Sequence, residues 1–317
     1  MPERIKQEAR VAEEQRGMRL DQVAAELFPD FSRSRLQAWI RSGELRVDGE
    51  EMRPRDKVAS GALLSLEAEP EEAVDWSGED IALDLVFEDE ELIVINKPAG
   101  LVVHPAAGHR SGTLVNALLH HCPDLATLPR AGVVHRLDME TSGLMVVAKT
   151  LRAHSDLVEQ LQARTVKREY AAVCIGAMTG GGTVDAPIGR HPRARKKMAV
   201  VEVGGKPAVT HYRLAERFNH HTHINVQLET GRTHQIRVHM AHIHHPLVGD
   251  PQYGGRPRIP KGAAPELVDM LRSFPRQALH ARQLGLVHPA SGEPCQWEVP
   301  LADDFSGLLD CLREYDQ

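Results

Sequence analysis

The chain has 317 residues, 42% of them hydrophobic and 26% charged, with a formal net charge of −6. That length suits one large domain with a small one, and no apolar run approaches the roughly 20 residues of a membrane span. Cys122, Cys174, Cys295 and Cys311 lie far apart and form no CxxC, which argues against a disulfide framework or a zinc site.

The first 17 residues, MPERIKQEARVAEEQRG, read as a loose polar tail without a signal peptide's apolar core, so a cytoplasmic location is expected. Residues 18–67 predict a small unit. Leu20, Val23, Ala24 and Leu27 recur at helical spacing. SRSRLQAWIRSG predicts a second helix, with Ser32 as N-cap, a stripe of Leu36, Trp39 and Ile40, and Gly43 as its stop. ELRVDGEEM predicts a strand–turn–strand about Asp48-Gly49, and GALLSLE a closing strand. Residues 68–80, acidic and proline-containing, read as a linker.

From residue 81 to 317 no second break is visible. LDLVFEDEELIVINKPAG predicts a hairpin, TLVNALLHH a short helix, Leu144–Ala148 a buried strand, 152–164 a helix and EYAAVCIG another strand. TVDAPI, KKMAVV and AVTHYRLAE have strand character. THINVQLETG alternates, with Ile224, Val226 and Leu228 on one face. THQIRVHMAHI turns helical and puts Ile236, Met240 and Ile243 together. ARQLGLVHP and PCQWEVP predict closing strands before a last helix carrying Phe305, Leu308, Leu309 and Leu312. Strands outnumber helices without regular βαβ alternation. The expected class is α+β, a mixed, largely antiparallel sheet with flanking helices.

Residues 67–91 hold 12 Asp and Glu and no Lys or Arg; the rest of the chain has 38 basic against 32 acidic residues. Basic residues cluster at Arg33, Arg35, Arg41 and Arg46, and again at Arg190, Arg193, Arg195, Lys196 and Lys197. Either cluster alone is ordinary solvated surface, but both together point to a nucleic acid. No GxGxxG, P-loop, HExxH or Gly-x-Ser-x-Gly is present, so no nucleotide cofactor is expected. The chain has 18 histidines. Their densest sets, His220, His221 and His223, then His234, His239, His242, His244 and His245, lack a spacing that converges on one point. Capping or RNA-facing histidines are expected there, and no metal.

The remaining signal lies in HRLDMETSGL, KREYAAV and LETGRTHQIRVHMAHIHHPLVGDPQYGG, supported by NKPAGLVVHP and ALHA. Together these resemble the RluA-type pseudouridine synthases from about residue 83 onward, while residues 18–67 resemble the S4 RNA-binding domain. The resemblance implies the pseudouridine synthase fold, a monomer without cofactor, and action on 23S ribosomal RNA, within the large ribosomal subunit or its precursor. Its implied targets are the clustered uridines of the helix 69 loop. It implies Asp138 as nucleophile or base, Arg237 as its cationic partner and Tyr170 as the residue stacking on uracil. Arg136 would replace the flipped base or contact a phosphate, and Thr233, His234 and Gln235 would line the pocket. Arg33, Arg35, Arg193, Arg195, Lys196 and Lys197 would touch phosphates.

Residue chemistry agrees with this reading. Turning uridine into pseudouridine moves a glycosidic bond from N1 to C5 without loss of atoms, and one carboxylate beside the sugar suffices. A typical glycosidase wants two. An ionised Asp in a closed pocket needs a cation or donors. A non-catalytic S4-type assembly factor would have no use for Asp138, Tyr170 and Arg237 together, and a nucleic-acid glycosylase would release the base.

Overall fold

In the computed structural model, which describes residues 5–29, 31, 33–68, 77–105, 109–194 and 197–317, the chain divides into Met1–Asp75 and Trp76–Gln317. In the smaller unit the apolar stripes become helices α1 (Leu20–Leu27) and α2 (Arg33–Ser42), following strand β1 (Ile5–Arg10) and preceding β2 (Leu45–Val47) and β3 (Leu63–Ala68). Leu20, Val23, Leu36, Trp39 and Ile40 pack on Leu64 and Leu66 to form its core. Gly43, at φ 80°, ends α2 in the left-handed region that suits glycine. The N-cap position Ser32 lies outside the described residues.

Two expectations fail here. Residues 5–10 are not a loose tail: β1 pairs antiparallel with β3, from Ile5↔Ala68 to Arg10↔Leu63. Its inward positions are Ile5, Gln7 and Ala9, and the polar middle member hides the alternation. The second arm after Asp48-Gly49 does not form either. Only a Val47↔Glu50 bridge exists, and β2 pairs with β3 instead. The chain beyond that turn is drawn to α1, whose first amides need acceptors: Leu20 N donates to Asp56 O and Asp21 N to Pro54 O.

The larger unit runs β4 (Leu85–Glu88), β5 (Leu92–Lys97), α3 (Leu114–His121), β6 (Ser142–Ala148), α4 (Leu151–Gln162), β7 (Lys167–Ile175), β8 (Gly182–Asp185), β9 (Ile188–Arg190), β10 (Met198–Val200), β11 (Val209–Arg217), β12 (His221–Leu228), α5 (Gln235–His242), α6 (Pro265–Ser273), β13 (Leu279–Val287), β14 (Pro294–Glu298) and α7 (Asp303–Tyr315). Its main sheet has the order β4-β5-β6-β13-β7-β12-β11-β8, with β14 on β13. Every pairing is antiparallel except β6 with β13, so the α+β, largely antiparallel expectation holds. Gly143 permits that parallel contact, because a Cβ there would meet Ala281 O at 2.2 Å.

Successive residues of β7 serve opposite faces of the sheet. Tyr170, Ala172 and Cys174 face α3 and α5, with Ile224, Val226, Ile236 and Met240. Ala171 and Val173 face α6 and α7, with Phe305, Leu308, Leu309 and Leu312. The linker's end needs correction. Residues 77–80 are docked on α3: Asn116 Nδ2 donates to Ser77 O at 3.0 Å and Glu79 N to Asn116 O at 2.9 Å. Residues 69–76 lie outside the described part. Among the described residues no helix is long and apolar enough to cross a membrane.

Candidate active site

Strands β6, β13, β7 and β12 are consecutive neighbours in the sheet. Asp138 lies just ahead of the first, Tyr170 on the third, and Arg237 on the helix that follows the fourth. With strands about 4.8 Å apart, the three chain segments reach one cleft. That cleft is about 700 Å³, and Arg136, Asp138, Arg168, Tyr170, His234 and Arg237 are among its lining residues.

Asp138 opens a turn closed by Thr141 N donating to its carbonyl at 3.0 Å. The turn is held at each step. Lys97 Nζ donates to Met139 O at 2.9 Å, as well as to Pro98 O and Leu101 O. Gly100 N shares the Met139 carbonyl. Arg276 Nη1 donates to Glu140 O at 3.2 Å, and Gln277 Nε2 to Thr141 Oγ1 at 3.1 Å. Burial brings the Lys97 ammonium down to about 8, and Arg276 is itself locked by Asp304 at 2.6 and 2.7 Å. On the N-terminal side, His135 Nε2 accepts from Val146 N at 3.1 Å. Burial, reinforced by the Arg168 charge, depresses His135 to about 3 and keeps it a neutral acceptor.

Arg237 sits in the first turn of α5 between two carboxylates. Its Nε and Nη2 donate to Asp250 at 2.7 and 2.9 Å, and its Nη1 donates to Asp138 Oδ2 at 3.0 Å. The Tyr253 ring lies 5.0 Å from its guanidinium carbon. Burial opposes both charges of the Arg237–Asp250 pair, but their hydrogen bonds prevail, raising Arg237 and holding Asp250 below the usual carboxylate range. Asp250 is fully occupied, since Gln252 N and Tyr253 N also donate to it. The clamp leaves one edge of the guanidinium for Asp138.

His234 takes the left-handed conformation, φ 58°, at the start of α5. Its Nδ1 lies 2.7 Å from the Tyr253 hydroxyl, which accepts from Met198 N, and its Nε2 stands 3.8 Å from Asp138 Oδ1. Tyr170 lines the cleft at 6% exposure. Burial pushes its hydroxyl up against the opposing Arg168 charge, with the Asp138 charge adding to the rise, so it stays protonated at neutral pH.

Arg136 and Thr233 are exposed at the cleft. Gln235, expected as a pocket and RNA contact, does line the cleft, but its amide is engaged within the protein. Its Oε1 accepts from Thr230 Oγ1 and Arg232 N, and its Nε2 donates to Val209 O and Thr210 Oγ1. All four amide positions are used inside the protein, fastening the β12–α5 loop to β11. Several of the clustered histidines are also engaged internally: His239 with Thr210 Oγ1 and Ala186 O, His220 and His221 with Asp316. Among the described residues no set of three or more His, Cys, Asp or Glu converges as a metal site.

The basic residues divide. In the smaller unit Arg33 donates to Asp21 at 3.0 Å, alongside Arg19 and Gln37, and Arg35 lies 5.3 Å from the Trp39 ring centre. Burial works against ionised Asp21, yet those bonds carry it down to about 2. In the larger unit Arg193 is exposed. Lys197 Nζ donates to Gln252 O at 2.6 Å, which joins it to the loop that clamps Arg237. Arg195 and Lys196 lie outside the described residues. Sequence reasoning missed Asp250, Tyr253, Lys97 and Arg276 as supports of the site. Their one visible signal was membership in GDPQYGG, NKPAG and the run before ALHA.

Known proteins resemble this chain along most of its length. The family described as RNA pseudouridylate synthase matches residues 91–242, and the S4 domain matches residues 18–64. Ribosomal large subunit pseudouridine synthase D of Pseudomonas aeruginosa is 63% identical over 314 residues, covering 99% of this chain and 98% of that one. The protein of the same name from Escherichia coli K12 is 56% identical, covering 99% and 96%. The solved structure of human RNA pseudouridylate synthase domain containing 4 aligns with a TM-score of 0.58 at 28% identity, covering 73% of this chain and 93% of that one.

Proposed function

The chain belongs to the RNA pseudouridylate synthase family, with an S4 domain ahead of its catalytic unit, and from that premise we propose that it isomerises uridine in large-subunit ribosomal RNA, at the clustered uridines of the helix 69 loop. The names of its full-length relatives support the large-subunit substrate. The S4 domain supports direct contact with RNA.

The reaction breaks N1–C1′, turns the base and forms C5–C1′. One proton leaves C5 and one is taken up at N1, so composition is unchanged. Asp138 acts at the sugar, by attack on C1′ or by removal of the C2′ proton. Arg237 orients that carboxylate through its 3.0 Å bond. Tyr170 provides the ring on which the extruded uracil stacks. Arg136, exposed at the cleft, fills the space the flipped base leaves in the RNA or holds a neighbouring phosphate.

The observation that carries the reading is Asp138 itself: a lone carboxylate facing a cleft, on a turn pinned along its length, bonded to an arginine whose other donors are already engaged. The test is tritium release from C5-tritiated uridine in 23S RNA, wild type against Asp138→Asn. Release by wild type alone, without free uracil, is expected, with folding and RNA binding retained in the variant. Release by the variant near the wild-type rate would remove Asp138 from the chemistry. No release by either protein, on free RNA or large subunits, would leave an RNA-binding assembly factor.

A further inference from the structure

The cleft wall holds a second buried cation. Arg168 is 7% exposed, stands two positions before Tyr170 on the same face of β7, and lines the cleft beside it. Among the described residues it forms no ion pair. Nη2 reaches Glu229 O at 3.5 Å, the outer limit of a hydrogen bond, and Nε has no partner. The Glu229 carboxylate is turned away, towards His211 and Arg164. Gly231 lies against Nη1, where a Cβ would sit 2.9 Å from the nitrogen. The loop between β12 and α5 therefore approaches this guanidinium but offers it only the distant Glu229 carbonyl.

A buried cation with so little compensation is costly unless a ligand completes it. Two electron-rich groups of an RNA could do so. Backbone phosphates are bulky and hydrated and suit the exposed cations Arg130 and Arg136. Arg168 is deeper, beside the ring that stacks on the base. We propose that Arg168 donates to a carbonyl oxygen of the target uracil and stabilises the negative charge the base acquires as it leaves C1′. This rests on the pseudouridine synthase reading above. When N1–C1′ breaks, its electron pair goes to the base and spreads onto the ring oxygens. Asp138 captures C1′ or takes the C2′ proton, and as C5 bonds to C1′ the Asp138–C1′ bond breaks or that proton returns to C2′. The pair returns when C5 bonds to C1′, C5 then gives up its proton, and N1 gains one. The charge on the base is transient, so a donor aimed at it acts on the rate and not on ground-state affinity.

The experiment compares full-length wild type, Arg168→Gln and Arg168→Lys in single turnover on a helix 69 stem-loop RNA. The target position carries uridine or 5-fluorouridine, and consumption of the target nucleoside is read after digestion. Fluorine makes the base more acidic at N1, so its departure needs less help. Arg168→Gln is expected to slow consumption of uridine by about 100- to 1,000-fold, to slow 5-fluorouridine at least about tenfold less, and to leave RNA affinity and its salt dependence unchanged. Equal losses on both bases would overturn the proposal in favour of a structural role. A loss confined to affinity, with a shallower salt slope, would overturn it in favour of a phosphate contact. Should Arg168→Gln not fold, Arg168→Lys carries the same comparison between bases. Failure of the wild type on uridine RNA would instead refute the underlying function.

Discussion

Asp250→Asn separates an Arg237 that is held for Asp138 from one that is merely near it. The two Arg237–Asp250 bonds join side chains 6% and 2% exposed. Asparagine keeps one acceptor but turns an NH2 group towards the guanidinium, so one buried donor faces another. Breaking a buried ion pair costs about 3–5 kcal/mol, and the retained Asp138 bond puts this case at the lower end, about 3 kcal/mol. In a catalytic unit of this size that lowers the melting midpoint by about 6–12 °C. Arg237, released from its clamp, turns its charge more fully on Asp138. At an effective dielectric constant near 20, opposite charges 4 Å apart attract by about 4 kcal/mol, and a carboxylate so engaged is a poorer nucleophile and base. Misplacement of this order lowers kcat by about 100-fold, with KM for RNA unchanged. Single-turnover pseudouridine formation beside a thermal melt measures both. A folded variant with wild-type kcat would refute the clamp, and a raised KM at unchanged kcat would make Arg237 an RNA ligand.

Three further outcomes follow from buried groups. Lys97→Met removes the donor to three carbonyls and is expected to cost about 2–4 kcal/mol and to lower kcat more than RNA affinity; urea melts and rates check this, and unchanged stability would refute it. His135, depressed to about 3, and His223 and His280, depressed to about 4, are all held neutral by burial. The unfolded chain then binds more protons below about pH 6.5, so stability falls on acidification by about 1.4 kcal/mol per pH unit per histidine, and the histidine contribution is flat above about pH 7. A urea midpoint independent of pH from 4.5 to 6.5 would contradict the buried imidazoles. Asp21→Asn removes a negative charge yet frees Arg19 and Arg33, so RNA affinity is expected to drop severalfold; an affinity that rises would show that charge outweighs preorganisation.

The legible parts of the protein are those whose signal is local. Leu144–Ala148 and the β12 alternation carry their period in consecutive residues, and both strands form where expected. Asp138, Tyr170 and Arg237 stand in three short motifs that the fold brings to one cleft. What the sequence hides is partnership across distance. Asp250 is 13 residues beyond Arg237 in a glycine-rich loop without periodicity, and only the return of that loop to α5 makes it a clamp. Lys97 ends a hairpin strand and reads as an exposed terminus, because lysines are seldom buried; here three carbonyls compensate it. Gln235 lines the cleft as its motif suggests, but its four bonds run to β11 and the preceding loop, which its sequence neighbours do not reveal. Helix α6 has a local signal as well: Pro265 opens it and Leu267 and Leu271 bury one face at i, i+4 spacing.

The supports missed from sequence explain how a single carboxylate can serve. A glycosidase divides its work between two acids, so each can be tuned by the other's charge. In the proposed reaction Asp138 has no acidic partner among the described residues of the cleft, and position does what a second carboxylate would otherwise do. The carbonyls of Met139 and Glu140 and the hydroxyl of Thr141 are each bonded to a side chain from elsewhere in the fold. Two of those side chains are buried cations, Lys97 and Arg276. Their bonds go to the backbone of the turn, so the Asp138 carboxylate keeps Arg237 as its close ion-pair partner and has its remaining face open to the cleft. Fixing the backbone while leaving the side chain singly bonded suits the proposed role, in which Asp138 shifts between its cation and the sugar.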